Sequence, residues 1–312
     1  MALFLACFLL VYTAEMTPYK NEADAIGILG TGRVAKALGR LLRQAGMDVA
    51  CVYGRDPART QAAAAFIGGA QPASLQDLVR RTSRYLIAVS DSAIPELAAQ
   101  IAACGPGPGI ALHTSGGWDV QPLRALHEAG VSCGTLHPFQ TVSTPEQGVH
   151  ALRGCAYAIS GEPAALAWAK TIVRNLNGMP LPVLPAARPL YHVAGVLASN
   201  YIVALLHAAQ ALLEQAAGLS AEEALRALAP LVRNTVANVL KYGPETALTG
   251  PIERGDAETV RAHLEALNRA ASSLTDLYRA AGLHTLEITR RKRHSTPNLA
   301  RMEEVLHRTG LP

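Results

Sequence analysis

The run Ala25-Ile26-Gly27-Ile28-Leu29-Gly30-Thr31-Gly32-Arg33-Val34-Ala35 decides the fold. Ile26 to Leu29 reads as a short apolar strand, and Val34, Leu38, Leu41 and Leu42 recur at helical spacing directly after it. Between them, G-x-G-x-x-A is the spacing of a tight strand-to-helix turn. The first glycine permits the turn, the second lets the backbone approach a pyrophosphate, and the small Ala35 lets helix and strand pack closely. The helix N-terminus offers unpaired N–H groups and a partial positive charge to phosphates. A second strand, Asp48-Val49-Ala50-Cys51-Val52-Tyr53, follows where a β-α-β unit requires it. The spacing therefore predicts dinucleotide binding, with Gly30, Thr31, Gly32, Arg33 and Val34 around the phosphates.

The end of the second strand, Tyr53-Gly54-Arg55-Asp56, bears on which dinucleotide is bound. Neither Tyr53 nor Gly54 can accept from two ribose hydroxyls, whereas Arg55 can clamp a 2′-phosphate with a charge-assisted fork, so NADP is expected. The other reading, a solvated Arg55 with Asp56 as the ribose ligand, stays open here. Later strands also end in small polar residues: Tyr85–Val89 in Ser90-Asp91-Ser92, Gly109–Leu112 in His113-Thr114-Ser115-Gly116-Gly117, and Val131–Leu136 in His137-Pro138-Phe139-Gln140. Ligands of such sheets bind beyond the carboxyl ends of the strands, which makes Ser90 and Asp91 further cofactor candidates.

The sheet is expected to close near Pro185, after Ala156–Ile159, an amphipathic segment from Pro163 to Leu176, and Leu181–Leu184. From Pro189 onward the periodicity is helical and carried by Ala and Leu. Ser220-Ala221-Glu222-Glu223 has the spacing of a capping box and starts a helix that Pro230 should interrupt or end. Thr249–Asp256 reads as a loop and Ala257–Ala281 as one helix. The expected class is α/β: a doubly wound, Rossmann-like parallel sheet with a C-terminal all-helical domain. Residues 1–25 form an N-terminal extension, 26–185 the nucleotide domain and 186–312 the helical domain.

Composition narrows the alternatives. Of 312 residues, 50% are hydrophobic and 17% charged, which excludes intrinsic disorder. A net charge of +4 is too small and scattered for a duplex-gripping surface, and the basic run Arg290–His294 reads as a solvated helix end. No nucleic-acid partner is expected; a small anionic ligand suits the balance better. Five cysteines without a C-x-x-C pair indicate neither a disulfide framework nor a metal cluster, and imply a reducing, cytoplasmic setting. The opening MALFLACFLLVYTA resembles the apolar region of a signal peptide but lacks the basic start. Translation from Met16 is expected, with a short export or anchoring segment as the rival. Elsewhere no membrane span is expected, because His, Asn, Arg or Pro break the apolar runs.

The strand-turn-helix GILGTGRVAKAL, the loops VSDSAI, LHTSGG and LHPFQTV, the helix YHVAGVLASNY and the loop TGPIERGD resemble a bacterial family of Rossmann-like proteins whose C-terminal part is termed domain of unknown function 2520. The resemblance covers roughly Ile26 to Leu283. It implies an N-terminal NADP-binding domain and a helical substrate domain similar to those of 6-phosphogluconate, prephenate and pyrroline-5-carboxylate reductase-type enzymes, commonly homodimeric through the helices. Prephenate dehydrogenases place a serine after one strand and His-Pro after the next; Ser115 and His137-Pro138 fall in similar positions. That makes His137 the acid/base candidate, with Ser115 orienting it and Asn200 holding the substrate oxygen. β-Hydroxyacid dehydrogenases carry a lysine four residues before the asparagine, where this chain has Val196. His192 and Ser199, seven residues apart, are expected on one helix face beside Asn200. Arg254 and Asp256 are candidates for a substrate carboxylate, or for a structural pair capping the next helix.

The reading favoured by these residues is an NADP-dependent oxidoreductase acting on a small carbonyl, imine or hydroxy compound. The alternative is an NADP(H)-binding sensor or scaffold without turnover, for which the missing lysine is the best support.

Overall fold

The computed structural model describes residues 24–292 and 297–307. The expectations about Met16 and the apolar opening, and the end of the basic run at residues 293 and 294, lie outside them. The chain divides into two compact units, one running to Ser199 and the other starting at Asn200.

The first unit is built on eight strands: β1 Ile26–Leu29, β2 Val49–Tyr53, β3 Gln71–Pro72, β4 Arg84–Ile87, β5 Gly109–His113, β6 Val131–Pro138, β7 Ala156–Gly161 and β8 Met179–Pro182. Their order is β3-β2-β1-β4-β5-β6-β7-β8. Pairing is parallel from β3 to β6, whereas β7 joins β6 antiparallel and carries β8 parallel to itself, so the expected parallel sheet ends in a reversed edge. The helices of this unit are α1 Arg33–Gln44, α2 Pro57–Ile67, α3 Leu75–Arg81, α4 Ile94–Ala103, α5 Arg124–Glu128, α6 Pro145–Ala151, α7 Pro163–Asn175 and α8 Arg188–Ala198.

Both faces of the sheet are covered, which is why β1 is apolar at every position. Ile26 and Ile28 pack with Leu38 and Leu41 of α1 and Trp168 and Ile172 of α7. Leu29 faces the other way, into the cluster formed by Leu78 of α3, Ile94 and Ile101 of α4 and Leu126 of α5. The sequence expectation placed α8 with the C-terminal helices; it groups instead with the sheet, because Arg188 at its start is inserted among the strand ends, as described below.

The second unit contains α9 Asn200–Ala217, α10 Ala221–Tyr242, α11 Pro244–Ala247, α12 Pro251–Arg254, α13 Ala257–Ala270, α14 Thr275–Lys292 and α15 Pro297–His307. Its core joins Ile252, Val260, Leu264, Leu286, Met302 and Leu306. The Ser220 capping box forms as expected, but α10 runs on through Pro230. One lost backbone bond is tolerable in a helix of 22 residues whose remaining ladder is intact. The expected helix 257–281 is two helices, broken at Ala271 by its non-helical backbone and a 3-10 turn. The expected loop 249–256 contains the short α12. Contrary to the expectation of no second apolar span, Pro185–Ala217 has the length and mean hydropathy, 1.6, of a membrane-crossing segment, and its apolar window is not buried.

Candidate functional site

The glycine turn behaves as its spacing requires. Gly30 sits at φ +129°, a conformation that L side chains rarely adopt, and a Cβ there would lie 2.3 Å from the carbonyl oxygen of Ala88. Gly32, extended at the start of α1, has open space where its side chain would be. The starts of α2, α3, α6, α10 and α13 are capped by side chains of Asp56, Ser74, Thr144, Ser220 and Asp256, whereas α1, like α7 and α8, has no side-chain cap and no acidic residue in its first turn, and its start lines the cleft described next. Its amide groups are left to an anion.

A cleft of about 760 Å³ runs along the carboxyl ends of the strands. Gly30, Thr31, Gly32, Arg33, Val34, Arg55 and Ser90 line it, as do Thr114 and Gln140 towards the β5 and β6 ends. Arg59 lines it too, a residue the sequence reading did not single out. Asp56 lines the cleft as well and accepts a hydrogen bond from the Arg59 backbone at 3.0 Å as the cap of α2, so the carboxylate first considered as a ribose ligand faces the cleft while serving a helix start. Gly54 is set by packing, since a Cβ would lie 2.4 Å from Thr31 Cγ2. Arg33 donates to the Ser143 carbonyl at 3.1 Å. Asp91 is not among the lining residues; it accepts from the Ser115 hydroxyl at 2.8 Å.

Beside Thr114 and Gln140 lies a polar cluster assembled from β5, β6, β7 and α8. His137 is partly buried, and its Nδ1 meets the hydroxyl of Tyr191 at 2.6 Å, the two rings edge to face. The expected partner was Ser115, which is engaged with Asp91 instead. Tyr191 is held above by Phe139, and Gly195 leaves room for that phenyl ring, since a Cβ would lie 2.9 Å from Phe139 Cε2. Burial, with the nearby imidazole of His192 and guanidinium of Arg188, lowers the pKa of His137 to about 4, so the ring is neutral at physiological pH. Burial pushes the Tyr191 hydroxyl up, so it keeps its proton.

Arg188, like Arg59 and Tyr191, was not singled out by the sequence reading. It is 1% exposed, donates to the hydroxyls of Thr135 and Ser160 and, at 3.5 Å, to the carbonyls of Ser115 and Gly116. None of these partners is a carboxylate. The buried His113 completes the support: its Nδ1 accepts from the Ser115 amide, which places its proton on Nε2, 2.5 Å from the Asp119 carbonyl oxygen. Burial lowers its pKa as well.

The remaining candidates are placed as follows. His192 is exposed, with Nδ1 near Gly116. The single helix face expected for His192 and Ser199 does not form, because α8 ends at Ala198 and Ser199 leaves helical geometry at φ −130°, ψ −71°. Asn200 is exposed and opens α9 in the second unit. Asp256 caps α13 through the amide and hydroxyl of Thr259, and Arg254 ends α12.

The strand order, the glycine turn and the cleft at the carboxyl edge define the class: a Rossmann-like protein. Residues 14–138 match the family model of the Rossmann-like domain and residues 155–285 that of the domain of unknown function DUF2520, so the chain pairs these two domains. No curated protein matches the chain. Among solved structures, it is similar to a candidate NADP oxidoreductase from Bacteroides fragilis, at 22% identity over 85% of this chain and 98% of that one, TM-score 0.68. It is also similar to the Plasmodium falciparum pyrroline carboxylate reductase with NADP bound (13% identity, 89% and 98% covered, TM-score 0.56). The third is the Aspergillus terreus reductive aminase in complex with NADPH and ethyl levulinate (18% identity, 90% and 99% covered, TM-score 0.58). At these identities the likeness is one of fold.

Proposed function

We propose that this protein is an NADP-dependent oxidoreductase that transfers hydride to or from a small carbonyl, imine or hydroxy compound. The observation that carries this reading is the cleft lined by an uncapped, glycine-opened helix start and, at its other end, by Thr114 and Gln140, close in the chain to Ser115 and to the neutral His137. Thr31 and Gly32, beyond the turn at Gly30 whose own N–H is donated to the Tyr53 carbonyl, bind the pyrophosphate with backbone N–H groups, and Arg55 and Arg59 take the 2′-phosphate. Ser90 and Thr114 flank the path towards the nicotinamide, with Asp91 held through Ser115. The bound dinucleotide supplies the hydride chemistry; His137 meets the reacting group of the substrate as hydrogen-bond donor or base, Tyr191 holds its ring in place, and Arg188 ties α8 to the strand ends beside it. Ser199 of the first unit remains a substrate candidate; within the second unit, Asn200 and Arg254 are assigned to an anionic ligand, while Asp256 serves as the cap of α13.

The functional unit is a cytoplasmic homodimer. In the second unit α9 buries no residue, and Ile202, Leu205, Leu231 and Leu240 of α9 and α10 stand exposed, an apolar face that a second copy of the chain covers. A sensor without turnover is the second reading, favoured by Val196 in the place of a lysine. Loss of NADPH absorbance with a panel of carbonyl and imine acids decides between them: turnover that falls ~10²- to 10⁴-fold in His137→Asn supports the enzyme. Tight NADPH binding without turnover of any compound supports the sensor.

A further inference from the structure

We propose that Gln100, its amide held by Glu96, reads the base of the bound dinucleotide and selects adenine over a 6-oxopurine. This rests on the assignment of the cleft to a dinucleotide given above.

The chemistry of the ligand fixes where its base lies. The 2′-phosphate and the base sit on the same ribose, so a phosphate at Arg55 and Arg59 keeps the base at the β2 end of the cleft, away from Thr114 and Gln140. In the sheet β2, β1 and β4 are consecutive, and α4 follows β4. Ala93, just before α4, and Glu96, Leu97 and Gln100 within it recur at helical spacing, so one side of α4 forms a wall of the cleft. Val89, Ala93 and the buried Leu97 offer a purine ring an apolar surface. Glu96 and Gln100 are the polar groups on that side of α4, and both are exposed.

The Gln100 amide has one orientation. Its Nε2 donates to Glu96 Oε1 at 3.2 Å, and because an ionised carboxylate only accepts, the nitrogen and not the oxygen must face it. Gln100 Oε1 meets no protein donor among the described residues. One edge of the amide is therefore left with a free oxygen and a free N–H, the complement of the 6-amino group and N7 of adenine. A 6-oxopurine carries a carbonyl oxygen in place of the amino group and sets it against Oε1. Turning the amide over to meet that oxygen would set Oε1 against the Glu96 carboxylate instead. Either arrangement leaves two acceptors facing each other, which is how a polar site rejects the wrong ligand. Gln100 is the residue that touches the base, and Glu96 is its positioning residue.

The test is calorimetric titration of the full chain with adenosine 2′,5′-bisphosphate and with inosine 2′,5′-bisphosphate, half-ligands that differ in the base and carry no nicotinamide. The adenosine form should bind about 10-fold more tightly. Gln100→Met, a change on the exposed side of α4 that leaves Ile94, Ala98 and Ile101 in the core, should bring the two within about twofold by weakening the adenosine form. Glu96→Gln should raise the affinity of the inosine form, because the amide is then free to turn its N–H towards O6; a merely structural role would give no such gain. Equal affinity of the native chain for the two half-ligands, or a preference that survives Gln100→Met, overturns the proposal, and an inosine affinity that does not rise in Glu96→Gln overturns the role of Glu96. Titration with NADPH and its hypoxanthine analogue separates this proposal from the assignment it rests on. Equal binding of those two refutes base selection while the cofactor assignment stands. Base-selective binding of the half-ligands by a chain that does not bind NADPH refutes the cofactor assignment and leaves base selection standing, and no binding of any of the four refutes both.

Discussion

Tyr191 places its hydroxyl 2.6 Å from Nδ1 of His137, across 54 residues of chain, and so sets which nitrogen of that imidazole faces outward. Removing the hydroxyl should free the tautomer. In Tyr191→Phe the ¹⁵N shifts of His137 should change from one dominant Nε2–H form to a mixture, with a stability loss of about 1 kcal/mol, the worth of one hydrogen bond. An unchanged His137 spectrum would show that the hydroxyl does not fix the ring.

Arg188 ties α8 to the ends of β5, β6 and β7 through neutral acceptors. Arg188→Ala should cost about 3 kcal/mol in urea denaturation, because two carbonyls lose their donor and a large volume empties. Arg188→Met should cost less, since it fills the volume and removes a desolvated charge. Equal losses would mean that the hydrogen bonds alone matter.

His137 makes stability depend on pH. Its folded pKa of about 4 lies below the usual 6.5, so between these values the unfolded chain binds more protons than the native one. The contribution is full above pH 6.5 and is lost as pH falls towards 4, by about 3 kcal/mol in all. His113 is lowered in the same direction and adds to the slope. His137→Gln should flatten the stability profile over this range, read from urea midpoints; a slope as steep as in the native chain would rule out the buried neutral histidine.

Much of the first unit is legible in the sequence because its signals are local. A strand buried on both faces must be apolar throughout, and a turn at φ +129° demands glycine, so Ile26–Gly32 announces itself. The support of His137 is not legible in the same way. Arg188, Tyr191 and Gly195 share one face of α8 at helical spacing, but their partners Thr135, His137 and Phe139 lie on β6 and just beyond it, far away in sequence. The pairing of Ser115 with His137 followed from a resemblance in spacing, which carries no information about the competing acceptor on Asp91. Val196 and Asn200 suggested one continuous helix, and the break at Ser199 has no proline or glycine to signal it.

Arg55 and Arg59 both line the cleft at the end of β2, on the two sides of the capping Asp56. Arg59→Ala should therefore weaken NADPH binding while leaving NADH binding nearly unchanged, about tenfold for one charge-assisted contact. Equal weakening of both nucleotides would assign Arg59 to the shared part of the ligand.

Calorimetric titration of the full chain with NADPH and with NADH probes the cleft most directly. NADPH should bind ~10- to 100-fold more tightly, a difference of about 1.5 to 3 kcal/mol that Arg55→Ala should largely erase. Equal affinity for the two nucleotides, or no binding of either, would contradict the assignment of the cleft to NADP.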